Sequence, residues 1–325
     1  MDDAGKARKF MGSKTFSLLC MLLIIVVFFW GFSPNHSFLG GRNITSILNS
    51  IVLLTLFSVG VSFLVISGEF DLSSGYIGTA AGTTLAVLIE HAGLPWFVAV
   101  ICCLLLGIVF GLLNAVLVNK FRLQSFIATL AVGSFLAKGA ALIITSGKPI
   151  TIEDPVMGWI GTYKINDVFP VAIILSLAVI AIYGVILSKT KFGHRVYLCG
   201  GNREAARLAG LNPKRLSYIL FANSGMLGAL GGLLCAARLK SGNLTGTNGY
   251  SFPAVTAVIF GGISMGGGRG NMLGCFLGLL IINGFTNGLT IMRVPTTWND
   301  VASGGLLLLA LTIDYLTNRA NRVRG

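Results

Sequence analysis

Apolar runs of roughly membrane-crossing length alternate with short polar breaks along the 325 residues of this chain. The runs cover 16–32, 44–66, 72–89, 94–118, 125–146, 168–187, 216–237, 252–267, 271–292 and 300–313. A helix needs about 20 apolar residues to span the hydrocarbon core, so the pattern predicts an all-α, polytopic membrane protein of about ten transmembrane helices. Two runs fit less well. The one at 252–267 is rich in glycine, and the one at 300–313 holds only about 13 uninterrupted apolar residues. The first run follows Lys6, Arg8, Lys9 and Lys14, yet no small-x-small cleavage site comes after it, so it reads as an uncleaved anchor. The expected organisation is a tail at 1–15, a transmembrane domain at 16–316 with a long loop at about 189–215, and a second tail at 317–325.

Composition narrows the class. Apolar residues make up 54% and charged residues 11%, and the mean hydropathy is +0.83. Soluble domains carry about 25% charged residues. A cytosolic enzyme, a disordered chain and a secreted disulfide scaffold are therefore excluded, and membrane lipid is the expected surroundings. The net charge of +13 reads as topology and not as nucleic-acid binding, because cytoplasmic loops collect Lys and Arg. With an even number of spans and the N-terminus inside, seventeen of the 24 basic residues fall in inner segments and six in outer ones; Lys138 falls within a span. Both termini are expected in the cytoplasm. None of the six cysteines form a CxxC pair, so no metal site is expected. Four GxxxG pairs (Gly107/Gly111, Gly228/Gly232, Gly274/Gly278 and Gly284/Gly288) predict close helix packing.

The polar residues inside this apolar frame are the candidates for function. Lys138 lies mid-span, as a pathway residue or as half of a structural pair. Glu69 and Asp71 sit in the Ser67–Gly75 break between two spans, where Asp71 or Ser73 would cap the following helix or the segment would act as a gate. Asn114, Asn223, Asn283 and Asn287 are amides within spans, suited to helix-to-helix bonds or to a hydroxylated solute. The Gly-rich stretch 261–270 reads as a tight turn, since the chain lacks GxxxxGK[ST] and no strand precedes it. In the long loop, Asn202 is an N-cap, Glu204 sits in the first turn, and Gly210 then Pro213 end the helix. A helix over 203–209 follows. It is too short to be stable alone and needs a surface to pack on.

These residues bring a family into view. The SGEFDLSSG break (67–75), FIATLAVGSFLAKG (126–139), TKFGHRVYLCGGNREAARLAGL (190–211), IFGGISMGGGRG (259–270) and NGL (287–289) resemble the permease subunits of bacterial ABC importers for ribose and related monosaccharides. The chain departs from the family pattern at Ser251 and Pro253, where acidic residues are common, and at Lys138, where arginine is common. The resemblance implies the ABC importer permease fold in the bacterial inner membrane, and a translocation path for a small hydroxylated solute, most simply a monosaccharide. It implies a second permease copy, identical or not, an ATP-binding subunit and an extracytoplasmic solute-binding protein. This chain is then no enzyme and binds no cofactor, while ATP and Mg are used by the partner subunit. Gly193, Asn202, Glu204, Ala205, Ala206, Ala209 and Gly210 are expected to couple to that subunit. Glu69, Asp71, Asn114, Lys138, Asn223, Asn283 and Asn287 are expected along the path. The alternative is a self-sufficient secondary transporter of a small polar solute. It is disfavoured because no His lies within a span to relay a coupling ion.

Overall fold

The computed structural model describes residues 14–295 together with Trp298, Val301, Gly304, Gly305, Leu308 and Thr312. The expected run at 300–313 and the distal parts of both tails lie largely outside the described residues. In chain order the helices are α1 Lys14–Phe32, α2 Gly41–Ile66, α3 Ser74–Ala86, α4 Trp96–Asn119, α5 Ser125–Thr145 and α6 Pro155–Thr162. They continue with α7 Ala172–Lys189, α8 Lys191–Gly201, α9 Arg203–Leu208, α10 Pro213–Leu239, α11 Ser251–Phe260 and α12 Met272–Ile291. Four two-residue strands make two small antiparallel pairs, β1 Ile150–Thr151 with β4 Ser241–Gly242 and β2 Lys164–Ile165 with β3 Phe169–Pro170.

Seven helices among the described residues are long and apolar enough to cross a membrane: α1, α2, α4, α5, α7, α10 and α12. The runs at 72–89 and 252–267 are not unbroken α-helices. The first contains α3, which runs on as a π-helical stretch over Val87–His91. The second contains the ten-residue α11, which ends at Gly261 because Gly262 turns the chain at φ +86. Hydropathy counts apolar residues and does not register where the backbone breaks.

The centre of the bundle is α2, in which every residue from Ile51 to Ile66 is buried. A helix that is apolar all round belongs inside, and two of its three mid-helix hydroxyls are satisfied there, while Thr55 Oγ1 is buried with no partner among the described residues. Ser58 donates to Ala254 O at 3.3 Å and Ser62 to Ser58 O at 2.6 Å. Around it the helices meet at glycines. A Cβ on Gly111 of α4 would lie 2.2 Å from Phe221 O of α10, and one on Gly232 of α10 would lie 1.8 Å from Gly78 O of α3. Gly274 and Gly278 of α12 seat against Gly261 and Ala257, and Gly288 receives the ring of Phe29 from α1. Backbones in lipid gain most from this kind of approach, because dispersion replaces the missing hydrophobic drive.

The connections sort to two ends. At one end Gly268 N donates to Ile66 O at 2.7 Å and Tyr197 Oη to Gly270 O at 2.7 Å, joining the α2–α3 break, α8 and the α11–α12 turn. At the other end β1 pairs with β4, Glu153 N donates to Glu90 Oε1 at 2.8 Å, and Thr45 Oγ1 donates to Val168 O at 2.9 Å. The outer helix α6 is capped by Asp154, which accepts from Met157 N at 2.8 Å.

Candidate functional site

The α2–α3 break is the most polar buried segment of the bundle. Gly68, at φ +81, turns the chain out of α2. Residues 69–73 then run non-helically, and their backbone needs partners that no helix supplies. Helix α5 provides two of them: Phe70 N donates to Ser125 Oγ at 3.0 Å and Leu72 N to Thr129 Oγ1 at 3.1 Å. Ser125 and Thr129 are four residues apart and so lie on one helix face.

Asp71 is fully buried and accepts from Ser73 N at 2.7 Å, from Ser73 Oγ and from Ser224 Oγ of α10 at 2.6 Å. Asn114 of α4 donates to Ser73 Oγ at 2.8 Å. Its Oδ1 is buried with no hydrogen-bond partner among the described residues. Break, α4 and α10 therefore converge on one carboxylate. Ser73 makes no side-chain capping bond to α3, because its hydroxyl is committed to Asp71, and of the two capping candidates it is Asp71 that accepts backbone N–H at the head of the helix.

Glu69 points away from this cluster. Its Oε1 pairs with Arg203 Nη2 at the start of α9, and its Oε2 accepts from Ser217 Oγ of α10 at 2.8 Å. The loop beyond holds two helices where the sequence suggested one. Thr190 caps α8 by accepting from Gly193 N at 3.1 Å, and a Cβ on Gly193 would lie 2.1 Å from Leu187 O. Asn202 ends α8 in an extended conformation and caps α9, accepting from Ala205 N at 3.0 Å. Gly210, at φ +80, then turns the chain toward α10. Gly267 and Gly268 of the α11–α12 turn interlock with Gly200 and Gly201 of α8. Burial pushes the Tyr197 hydroxyl above its ordinary pKa, so it remains a donor to Gly270. Burial likewise pushes the Cys199 thiol up, with Arg203 opposing.

Two residues of the loop set are turned inward, Gly193 and Ala206. Ala206 is buried in the bundle core, so it anchors α9 to its own protein and does not offer a surface. Glu204, Ala205 and Ala209 are exposed, and so is Leu208, which the sequence reading passed over. Glu69, Arg122, Arg203, Glu204, Arg207 and Lys214 line an open cleft of about 960 Å³ at this end.

The remaining candidates are dispersed. Asn223 accepts from Tyr183 Oη, joining α10 to α7, and Asn287 accepts from Asn43 Nδ2 at 2.8 Å, joining α12 to α2. Asn283 is buried on α12. Lys138 is exposed on α5, beside the buried Ala137 and Ala141. Its side chain has no ion pair or hydrogen bond among the described residues. The signal for the missed partners lay in spacing: Ser217 and Ser224 are two turns apart on one face of α10, as Ser125 and Thr129 are one turn apart on α5.

Residues 43–311 match the family described as branched-chain amino acid transport system / permease component. The chain belongs to this permease family. It is 31% identical over 300 residues to the ribose import permease protein of Escherichia coli, covering 91% of this chain and 92% of the relative. It is 30% identical over 357 residues to the xylose transport system permease protein of Haemophilus influenzae, covering 91% and 95%. A probable ABC transporter permease protein of Escherichia coli is 33% identical over 307 residues, covering 94% and 91%. In this permease the α2–α3 break and the α8–α9 loop are thus parts of a transport subunit's membrane bundle, and both are tied to α10.

Proposed function

We propose that this chain is the membrane-spanning subunit of an ATP-driven ABC importer for a monosaccharide, working in the bacterial inner membrane. The observation that carries the reading is similarity over more than nine tenths of the chain to permeases named for ribose and xylose. The end bearing α8 and α9 faces the cytoplasm, where Lys120, Arg122, Lys191, Arg195, Arg203, Arg207 and Lys214 collect, and both termini lie there. Ten crossings result when α3, α11 and the run at 300–313 are added to the seven long helices. A separate ATP-binding subunit hydrolyses ATP with Mg and docks against α9. A solute-binding protein delivers the sugar at the opposite end.

Lys138 supports a path along the outer face of α5. An ammonium held at mid-membrane against lipid costs about 2.5–3.5 kcal/mol on insertion scales, which water or a covering chain relieves. A second permease copy facing α5 supplies that cover and encloses the route. Reconstitution tests the reading. The chain, an ATP-binding subunit and a binding protein in liposomes should import labelled ribose or xylose only with ATP present. Failure of the complete assembly with every monosaccharide overturns the sugar importer. Import by the chain alone on an ion gradient would replace it with a secondary transporter.

A further inference from the structure

A solute path has no need of Glu69 where it lies. The side chain is 2% exposed, turned from the Asp71 cluster, and engaged at both oxygens by two other elements, Arg203 of α9 and Ser217 of α10. Among the described residues Glu69–Arg203 is the one ion pair within 4.0 Å. Its two ends differ in solvation: the side chain of Arg203 is 47% exposed and that of Glu69 3%. Water can therefore take over the guanidinium when the pair opens, while the carboxylate keeps Ser217. A contact with one wet and one dry partner has two accessible states, which a switch requires and a fully buried pair would not provide.

The segment behind Glu69 is rigidly held. The next alternate amides, of Phe70 and Leu72, donate to Ser125 and Thr129 in the opening turns of α5. Between them Asp71 is fixed to Ser224 of α10. A displacement of α9 thus has a continuous physical route through Arg203, Glu69 and backbone 70–72 to the start of the helix that carries Lys138. Beyond α9 the chain passes through the Gly210 turn, which is less suited to transmitting a push.

We propose that Glu69 and Arg203 form the latch through which movement of α9 reaches the α2–α3 break and α5. Glu69 is a positioning residue and lies outside the path. The proposal rests on the importer reading, since only an ATP-driven partner moves α9.

The test uses the complete assembly of permease, ATP-binding subunit and binding protein, and reads sugar imported per ATP hydrolysed. Arg203→Gln and Glu69→Gln should each keep ATPase activity within about twofold and lower that ratio about tenfold, with the double variant no worse than either single one. Arg203→Lys, which keeps the charge, should recover most of the ratio. Arg203 is at the surface, so Arg203→Gln decides by the same ratio if Glu69→Gln does not fold. Normal coupling in an importing assembly carrying Arg203→Gln overturns the latch alone. A parallel loss of thermal stability, ATPase and import, with the ratio unchanged, also overturns it in favour of a merely structural pair. A wild-type assembly that imports no monosaccharide overturns the importer reading and the latch with it.

Discussion

Ala206 and Leu208 stand two residues apart on α9 and face opposite ways, the first 4% exposed and the second 89%. One anchors the helix and the other is presented to whatever meets it. Leu208→Asp should therefore leave a folded, inserted protein and abolish partner-stimulated ATPase activity and import. Ala206→Arg should instead unfold the loop, because a guanidinium has no room or partner in the core, at a cost of about 3–5 kcal/mol. Thermal denaturation of the two variants in detergent separates them. A stable Ala206→Arg protein with lost stimulation would reverse the assignment.

The Asp71 cluster should govern stability before it governs transport. Asp71→Ala leaves the Ser73 N–H and the Ser224 hydroxyl unsatisfied in a buried site, at about 1–3 kcal/mol for each. Asp71→Asn keeps an acceptor and should fall between the wild type and Asp71→Ala. Equal melting temperatures for all three proteins would show that the cluster is dispensable to the fold.

Glycine contacts give a paired test. Gly111→Ala forces a methyl toward Phe221 O and should separate α4 from α10, at about 1–3 kcal/mol. Gly139→Ala on α5 meets nothing within 4 Å and should be neutral or slightly stabilising, since alanine is the better helix former. Reduced folded yield for Gly139→Ala equal to that for Gly111→Ala would contradict the packing described here.

Lys138→Met should fold as well as the wild type, because no partner among the described residues is left behind. Import should nevertheless fall if α5 borders the path. Unchanged import by a stable Lys138→Met protein would remove Lys138 from the route.

Topology is checked by single cysteines in a Cys-free background. Ser188→Cys, at the end with α8 and α9, should resist impermeant thiol reagents in intact spheroplasts, and Thr151→Cys at the other end should label. Labelling of both positions would break the proposed orientation.

The class of this protein, most helix positions and the Asn202 cap were legible in the sequence. These are local properties: hydropathy over about 20 residues decides membrane insertion, and an Asn side chain caps the helix that starts beside it. Three of the four GxxxG pairs also marked where backbones meet, though not which backbones, while Gly284 and Gly288 meet side chains of α1. Tertiary structure alone decided partners and facing. Glu69 meets Arg203 across 134 residues and Ser217 across 148, and no periodicity within one helix encodes such a pairing. The same holds for Ala206, turned inward by the fit of a short helix onto the bundle, and for Lys138, left exposed on α5 beside the buried Ala137 and Ala141. Two apolar runs contain broken or shortened helices for a related reason: a buried polar turn is tolerated only where neighbouring helices supply the hydrogen bonds that lipid cannot.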